Sequence, residues 1–306
     1  MNVILATNVA LDTPAGVAQY WDRLIRGVKS HGIGVVPMPL ADAARLAVPG
    51  YSLVIVDNHD ALAIPGGVAV VAVQHGCAGE HLARVPGWKA GTAMVPKQAA
   101  AGKRGRTFWV GCSVWAAIHC KKHMGVVADR VIYGTVHNKT FSPSARQQSR
   151  PGGKPIVLHH CADGNKGSDH VGAVAEALKG RFEFRRLKCK ANAVPAEMRK
   201  ADIWLCLSAS EGLPTVLQEA AATGLCCVST NVGVAWETTT DPWVTTFDWR
   251  DRGKPAVVAA AIERAWASHD WHVPRHYADT WWNLPLFGQK WSECLALAAH
   301  RLGVAK

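Results

Sequence analysis

Long apolar runs are missing from this 306-residue chain, although 49% of its residues are apolar. No stretch reaches the ~18 to 20 residues a bilayer crossing needs, and the first residues read as a strand rather than a signal peptide. The expectation is a cytoplasmic protein without a transmembrane segment. Paired cysteines are missing too: the nine are odd in number and scattered, with Cys206, Cys226 and Cys227 in predicted strands. That pattern argues against a disulfide framework and for reduced thiols. No convincing Asp-x-Asp pair is present to hold a divalent ion. Acidic residues are nearly absent from one span. Between Arg84 and Lys154 thirteen Lys and Arg stand against Asp129 alone, which accounts for the formal net charge of +11. A solvated face mixes signs, so this imbalance points to a polyanionic partner or an anionic membrane surface, with plain solubility as the alternative. Lys103, Arg104, Arg106, Lys121 and Lys122 are the residues expected to meet such a partner.

What is present is an alternation of short buried strands and helices. Strands are expected over 2–6, 35–36, 53–56, 68–73, 107–111 and 130–133, and again over 155–160, 182–187, 203–207 and 225–230. Between them lie helical spacings, such as Val17, Tyr20, Trp21, Leu24, Ile25 and Val28, opened by Gly16 and ended by Gly32. This alternation predicts an α/β protein with parallel sheets, long enough for two domains. The expected division is a first domain over 1–145, a polar Gly/Pro-rich linker over 146–154, a second domain over 155–280, and a terminal helix over 281–306. Trp281, Trp282 and Trp291 near that helix are read as packing residues rather than as a membrane or base-stacking surface.

The most informative stretch is 201–237, ADIWLCLSASEGLPTVLQEAAATGLCCVSTNVGVAWE. An apolar strand is broken by Ser208, Ser210 and Gly212. Pro214 then suits the first position of a helix that closes at Gly224. Glu211 precedes the helix and Glu219 lies within it, with seven residues between them. At a strand's carboxyl end, where open α/β sheets bind ligands, Gly212 allows close backbone approach, and the amides of Leu213, Thr215 and Val216 make an anion site. His75 also follows a strand. His119 and His123 stand one helical turn apart beside Cys120, which raises metal binding; no second ligand pair has suitable spacing, so no metal is expected.

These features together resemble the retaining GT-B glycosyltransferases of glycosyltransferase family 4. The resemblance is carried by the E-x7-E pair Glu211 and Glu219, the EGLP and EAAATG segments, and the following Val232, Gly233 and Glu237. It extends more loosely to Gly16, to His75, to Tyr133–His137 with Phe141-Ser142-Pro143, and to Lys166-Gly167 before a helix. It implies two Rossmann-like parallel-sheet domains facing a central cleft, with a carboxyl-terminal helix crossing back to the first domain. It also implies a nucleotide-sugar donor, UDP-sugar foremost, with no other cofactor. On this resemblance Glu211, Lys166 and His75 are the catalytic residues, while Gly16, Gly212, Leu213, Pro214, Thr215 and Glu219 bind the donor. Two departures stand out. The second glycine of the amino-terminal loop is Val17, and the usual Arg five residues before Lys166 is Cys161, whose role falls to His159, His160 or another basic residue.

The acceptor expected from the basic span is nucleic acid, such as hydroxymethylated pyrimidine DNA. A lipid-linked glycan or lipopolysaccharide at a peripheral anionic membrane is the alternative. Glycoside hydrolysis by the two Glu, and a non-catalytic sugar-nucleotide or DNA-binding relative, are the rival readings.

Overall fold

The computed structural model describes residues 2–11, 16–149 and 152–305, so part of the loop expected over 7–14 (residues 12–14) and part of the linker expected over 146–154 (residues 150–151) lie outside the described residues. The chain forms two compact units, Met1–Thr135 with Leu284–Lys306, and Val136–Asn283. In the first, β1 (Asn2–Thr7), β2 (Val35–Pro39), β3 (Ser52–Asp57), β4 (Ala69–Gln74), β5 (Thr107–Gly111) and β6 (Arg130–Val131) pair in parallel in the order β2-β1-β3-β4-β5-β6. The apolar runs Leu53 to Val56 and Val70 to Val73, mostly β-branched, are fully buried, as strands covered on both faces require.

The helices of this unit are α1 (Gly16–Lys29), α2 (Leu40–Leu46), α3 (Ala78–Arg84), α4 (Lys89–Gly102) and α5 (Val114–Met124). Helix α1 buries Tyr20, Trp21, Leu24 and Val28. Ser113 caps α5, its hydroxyl accepting the Ala116 amide at 3.0 Å, and Gly125 ends it at φ +70°. Helices α2, α3 and α4 are not apparent in the sequence. Helix α4 contains Pro96 and buries only Gly91, Gln98 and Ala101, so it lacks an apolar stripe. A polar anchor holds it instead: Gln98 accepts from the Ala78 amide at 2.9 Å and donates to the Gly76 carbonyl at 3.3 Å.

In the second unit β7 (Ile156–His159), β8 (Glu183–Arg186), β9 (Ile203–Cys206), β10 (Cys226–Thr230) and β11 (Val244–Phe247) are parallel in the order β11-β10-β9-β7-β8. Its helices are α6 (Ala145–Ser149), α7 (Ser168–Ala177), α8 (Val194–Met198), α9 (Thr215–Ala222), α10 (Val234–Glu237), α11 (Pro255–Ala267) and α12 (His272–Trp281). The expected linker over 146–154 is not a free connector at its start. Gln147 on α6 is buried and donates to the Ala201 carbonyl at 2.6 Å, and Arg146 pairs with Asp202. These partners lie more than fifty residues ahead, which is why the polar stretch reads as a linker in one dimension.

The chain then returns to the first unit as α13 (Leu284–Arg301). Its Gly288 lies so close to Gly27 of α1 that a β-carbon there would overlap the Gly27 carbonyl. Trp291 donates from its indole to the Tyr20 hydroxyl at 3.3 Å, and that hydroxyl donates to the Ile132 carbonyl at 3.2 Å. Trp291 and Trp282 are buried as expected, whereas Trp281 is 55% exposed. All nine cysteines are free thiols, and among the described residues no helix is long and apolar enough to cross a membrane.

Two predictions follow from this packing. Gly288→Ala forces the α1–α13 crossing apart and is expected to lower stability by about 1 to 3 kcal/mol, read as a lower urea midpoint; an unchanged midpoint would show that the close crossing is not needed. At the end of β3, burial, followed by the neighbouring Asp60, pushes the Asp57 carboxyl up to about 7. The folded state then keeps a proton that the unfolded chain releases near pH ~4, so this group costs stability increasingly as pH rises from there towards about 7. Asp57→Asn is expected to show a Tm advantage over the wild type that grows across this window and levels off above it; a pH-independent difference would contradict the assignment.

Candidate functional site

The loops that leave β7 and β9 at their carboxyl ends are knitted together by the residues between them. Asn165 donates from its side chain to the Ser210 carbonyl at 3.3 Å and accepts from the Ser210 amide at 3.2 Å, while its own carbonyl receives the Ala209 amide at 2.8 Å. Gly167 has φ +81°, and a β-carbon there would come within 2.9 Å of the Leu207 carbonyl oxygen. Only glycine fits this conformation and this approach together. From the loop that follows β11, Arg252 donates to the carbonyls of Asn165 and Leu207 at 2.9 and 3.2 Å.

This frame brings together two of the expected catalytic residues. Lys166 and Glu211 form an ion pair, and Ser208 donates its hydroxyl to the same carboxylate oxygen at 2.7 Å. Burial would lower the Lys166 ammonium, but the Glu211 carboxylate outweighs it and the net shift is upward, so the side chain stays cationic. Gly212 is buried, and its carbonyl lies 2.9 Å from where a β-carbon of Gly233 would stand. Gly233, at φ +54°, therefore backs the turn that carries Glu211 to Pro214.

Pro214 differs from its expected place. It precedes the first helical residue, with ψ 88°, and its carbonyl takes the amides of Leu217 and Gln218. The amides of Thr215 and Val216 open α9, where no carbonyl of the helix can receive them. Leu213 is partly exposed beside them, and Glu219 stands in the second turn, 4% exposed.

Cys161 stands where the resemblance expects a cation, and it is buried. Burial pushes the Cys161 thiol up to about 12, lowers His159 to about 4, and lowers His160, with Arg186 and Lys166 adding to these histidine shifts. Burial thus favours the uncharged imidazoles at His159 and His160, the residues expected to stand in for the missing Arg, so what they offer at this corner is a ring N–H rather than a full charge. Two arginines act on this corner beside Lys166: Arg252, bound to backbone carbonyls, and Arg186, exposed at the end of β8 beside His159. Arg252, Arg186, Asn165 and Ser208 were missed in the sequence. Ser208 and Asn165 flank motif residues, but Arg252 lies 87 residues from Asn165 and carries no local signal.

In the first unit Gly16 is exposed at the start of α1, the residues just before it lying outside the description. His75 follows β4 with its ring edge-on to Tyr20 and Trp21, at 4.6 and 5.0 Å, and burial lowers it to about 3. It is a neutral imidazole. Its Nε2 is buried without a hydrogen-bond partner, as are Oδ1 of Asp57 and Asn58 and Oε1 of Gln74. These unmet polar atoms cluster at the carboxyl ends of two neighbouring parallel strands, the edge at which such sheets hold polar ligands.

The five basic residues do not form a free set. Arg104 donates to the carbonyls of Gly105, Pro65 and Val68, Arg106 donates to the Leu302 carbonyl, and Lys122 pairs with Glu80. Lys103 and Lys121 are exposed. The linear count of charge overstates what a polyanion would meet, because chain folding supplies partners from outside the span.

Residues 139–268 match the family model described as Glycosyl transferases group 1. No curated protein matches the chain in sequence. Solved structures match it in fold. Sucrose-phosphate synthase from Thermosynechococcus elongatus superposes with TM-score 0.78 at 14% identity, over 98% of this chain and 99% of that one. HepE of Anabaena, in complex with UDP-glucose, gives 0.70 at 15% identity over 97% and 100%, and WaaG, a glycosyltransferase involved in lipopolysaccharide biosynthesis, gives 0.68 at 17% over 95% and 98%. The fold is therefore GT-B, two Rossmann-like parallel-sheet units, and residues 139–268 are similar to the group 1 glycosyltransferases in sequence.

Proposed function

We propose that this protein is a retaining, metal-independent glycosyltransferase of the family 4 type, moving a sugar from a nucleotide-diphosphate sugar to a hydroxyl acceptor. The observation that carries the reading is the Lys166–Glu211 ion pair set beside the first turn of α9, within the segment that matches the glycosyltransferase model. On this reading Glu219 accepts hydrogen bonds from the ribose hydroxyls and Glu211 from hydroxyls of the transferred sugar. Lys166 and the amides after Gly212 offset the negative charge that grows on the diphosphate as the glycosidic bond breaks. Gly16, at the start of α1, is the residue of the first unit that the family resemblance assigns to donor binding. Arg186 takes the place of the cation absent at Cys161, since it is exposed at the same strand ends. His75, neutral, donates or accepts a hydrogen bond at the transferred sugar, and the unmet groups of Asp57, Asn58 and Gln74 hold acceptor hydroxyls. A UDP-sugar is the first donor to test, because a structure of the same fold holds UDP-glucose.

The acceptor reading stays with a polyanion, hydroxymethylated DNA first, on the strength of the basic span and the exposed Lys103 and Lys121. A lipid-linked glycan at an anionic membrane is the second reading, favoured by the likeness to a protein of lipopolysaccharide biosynthesis. A panel of sugar nucleotides offered with hydroxymethylated DNA and with lipid glycans, read by mass spectrometry, separates the two. Lys166→Ala and Glu211→Ala are each expected to cut transfer by about 100-fold or more while Tm stays close to wild type, as loss of one preorganised charge stabiliser does. Full activity in both would remove them from the mechanism. If DNA is the acceptor, its affinity falls steeply between low and moderate salt; no DNA binding at low salt would end that reading.

A further inference from the structure

His119 and His123 lack a ligand partner in the sequence, but the fold brings one. Glu80 on α3 faces α5, with its Oε2 3.0 Å from His119 Nδ1 and 3.0 Å from His123 Nε2. The three ligand atoms all lie within 4.8 Å of one another. Space for this meeting is built into the backbone. A β-carbon on Gly79 would stand 2.5 Å from Nδ1 of His123 and 2.7 Å from its Cγ, so only a glycine beside Glu80 lets that ring sit where it does. Glu80 itself is 5% exposed. Its other oxygen, Oε1, receives Arg84 Nε at 2.7 Å, which fixes the plane of the carboxylate. The His119 ring is held against Trp115, with 4.1 Å between the ring centroids.

We propose that Glu80, His119 and His123 form a binding site for a first-row transition-metal dication, zinc above all. Two imidazoles one helical turn apart and a carboxylate from a neighbouring helix make an N2O donor set suited to such an ion, with a coordination position left for water. In the metal-free protein the charge opposite Oε2 is the Lys122 ammonium at 2.9 Å, on a side chain that is 58% exposed. The ion displaces it to solvent, while Arg84 remains on Oε1 as an outer-shell donor. Bound there, the metal ties α3 to α5 inside the first unit. It has no part in the transfer step proposed above, which engages none of Glu80, His119 and His123.

The test uses the full chain, stripped with a chelator and titrated with Co2+ and then Zn2+. Near one equivalent, Co2+ is expected to give the visible bands of a low-coordinate nitrogen and oxygen site, and Zn2+ to displace it and raise Tm. His123→Ala is expected to weaken binding by about tenfold or more. Lys122→Met, which removes the competing ammonium and leaves all three ligands, is expected to bind severalfold more tightly. Absence of stoichiometric uptake by the wild type, equal affinity in His123→Ala, or no tightening in Lys122→Met would each overturn the assigned ligand set. Because Lys122 is exposed, that variant keeps the test open if His123→Ala folds poorly.

Discussion

Every strand within each unit runs parallel to its neighbours, and the rest of the molecule depends on that constraint. A parallel pair cannot be closed by a tight turn, so each strand must be followed by a crossover that starts at its carboxyl end. The polar loops of one unit are thereby gathered at one edge, with apolar strands buried beneath them. Asp57, Asn58, Gln74 and His75 in the first unit, and Asn165, Lys166, Ser208 and Glu211 in the second, all occupy such positions. Their buried polar atoms would be costly in the middle of a strand; at its end a ligand can satisfy them.

Within the second unit the chemistry rests on rigid backbone rather than on the ion pair alone. A salt bridge between partly exposed side chains contributes little to stability. The pair of Lys166 and Glu211 gains its geometry from Gly167 lodged against Leu207, from Asn165 bonded to the opposite loop, and from Gly233 packed behind Gly212. Arg252 closes the frame from a loop that precedes α11. Such scaffolding holds a charged pair in place while leaving both side chains partly exposed.

The carboxylate chemistry of the first unit follows a different rule. Glu80 lies just outside the acid-poor span, yet Arg84, Lys122, His119 and His123 all converge on it. A segment that looks uniformly basic along the chain is thus partly compensated in space. The residue that does this is invisible to any count taken within the span.

Much of the architecture was determined by the sequence alone, because its signals are local. The fully buried valine runs mark strands, Ser113 and Gly125 bracket α5, and the run from Ser208 to Gly224 specifies a strand end, a turn and a helix within seventeen residues. Glu211 and Glu219 belong to that local pattern, as do the glycines whose conformations the turns require. Tertiary structure decided what depends on distant partners. It buried Gln147 and so removed the start of an apparent linker, engaged Arg104 and Lys122 internally, shifted His159 and His160 towards their uncharged forms, and brought Glu80 to His119 and His123. The physical reason is range: backbone conformation is set by neighbours in sequence, whereas burial, charge compensation and ligand geometry are set by neighbours in space.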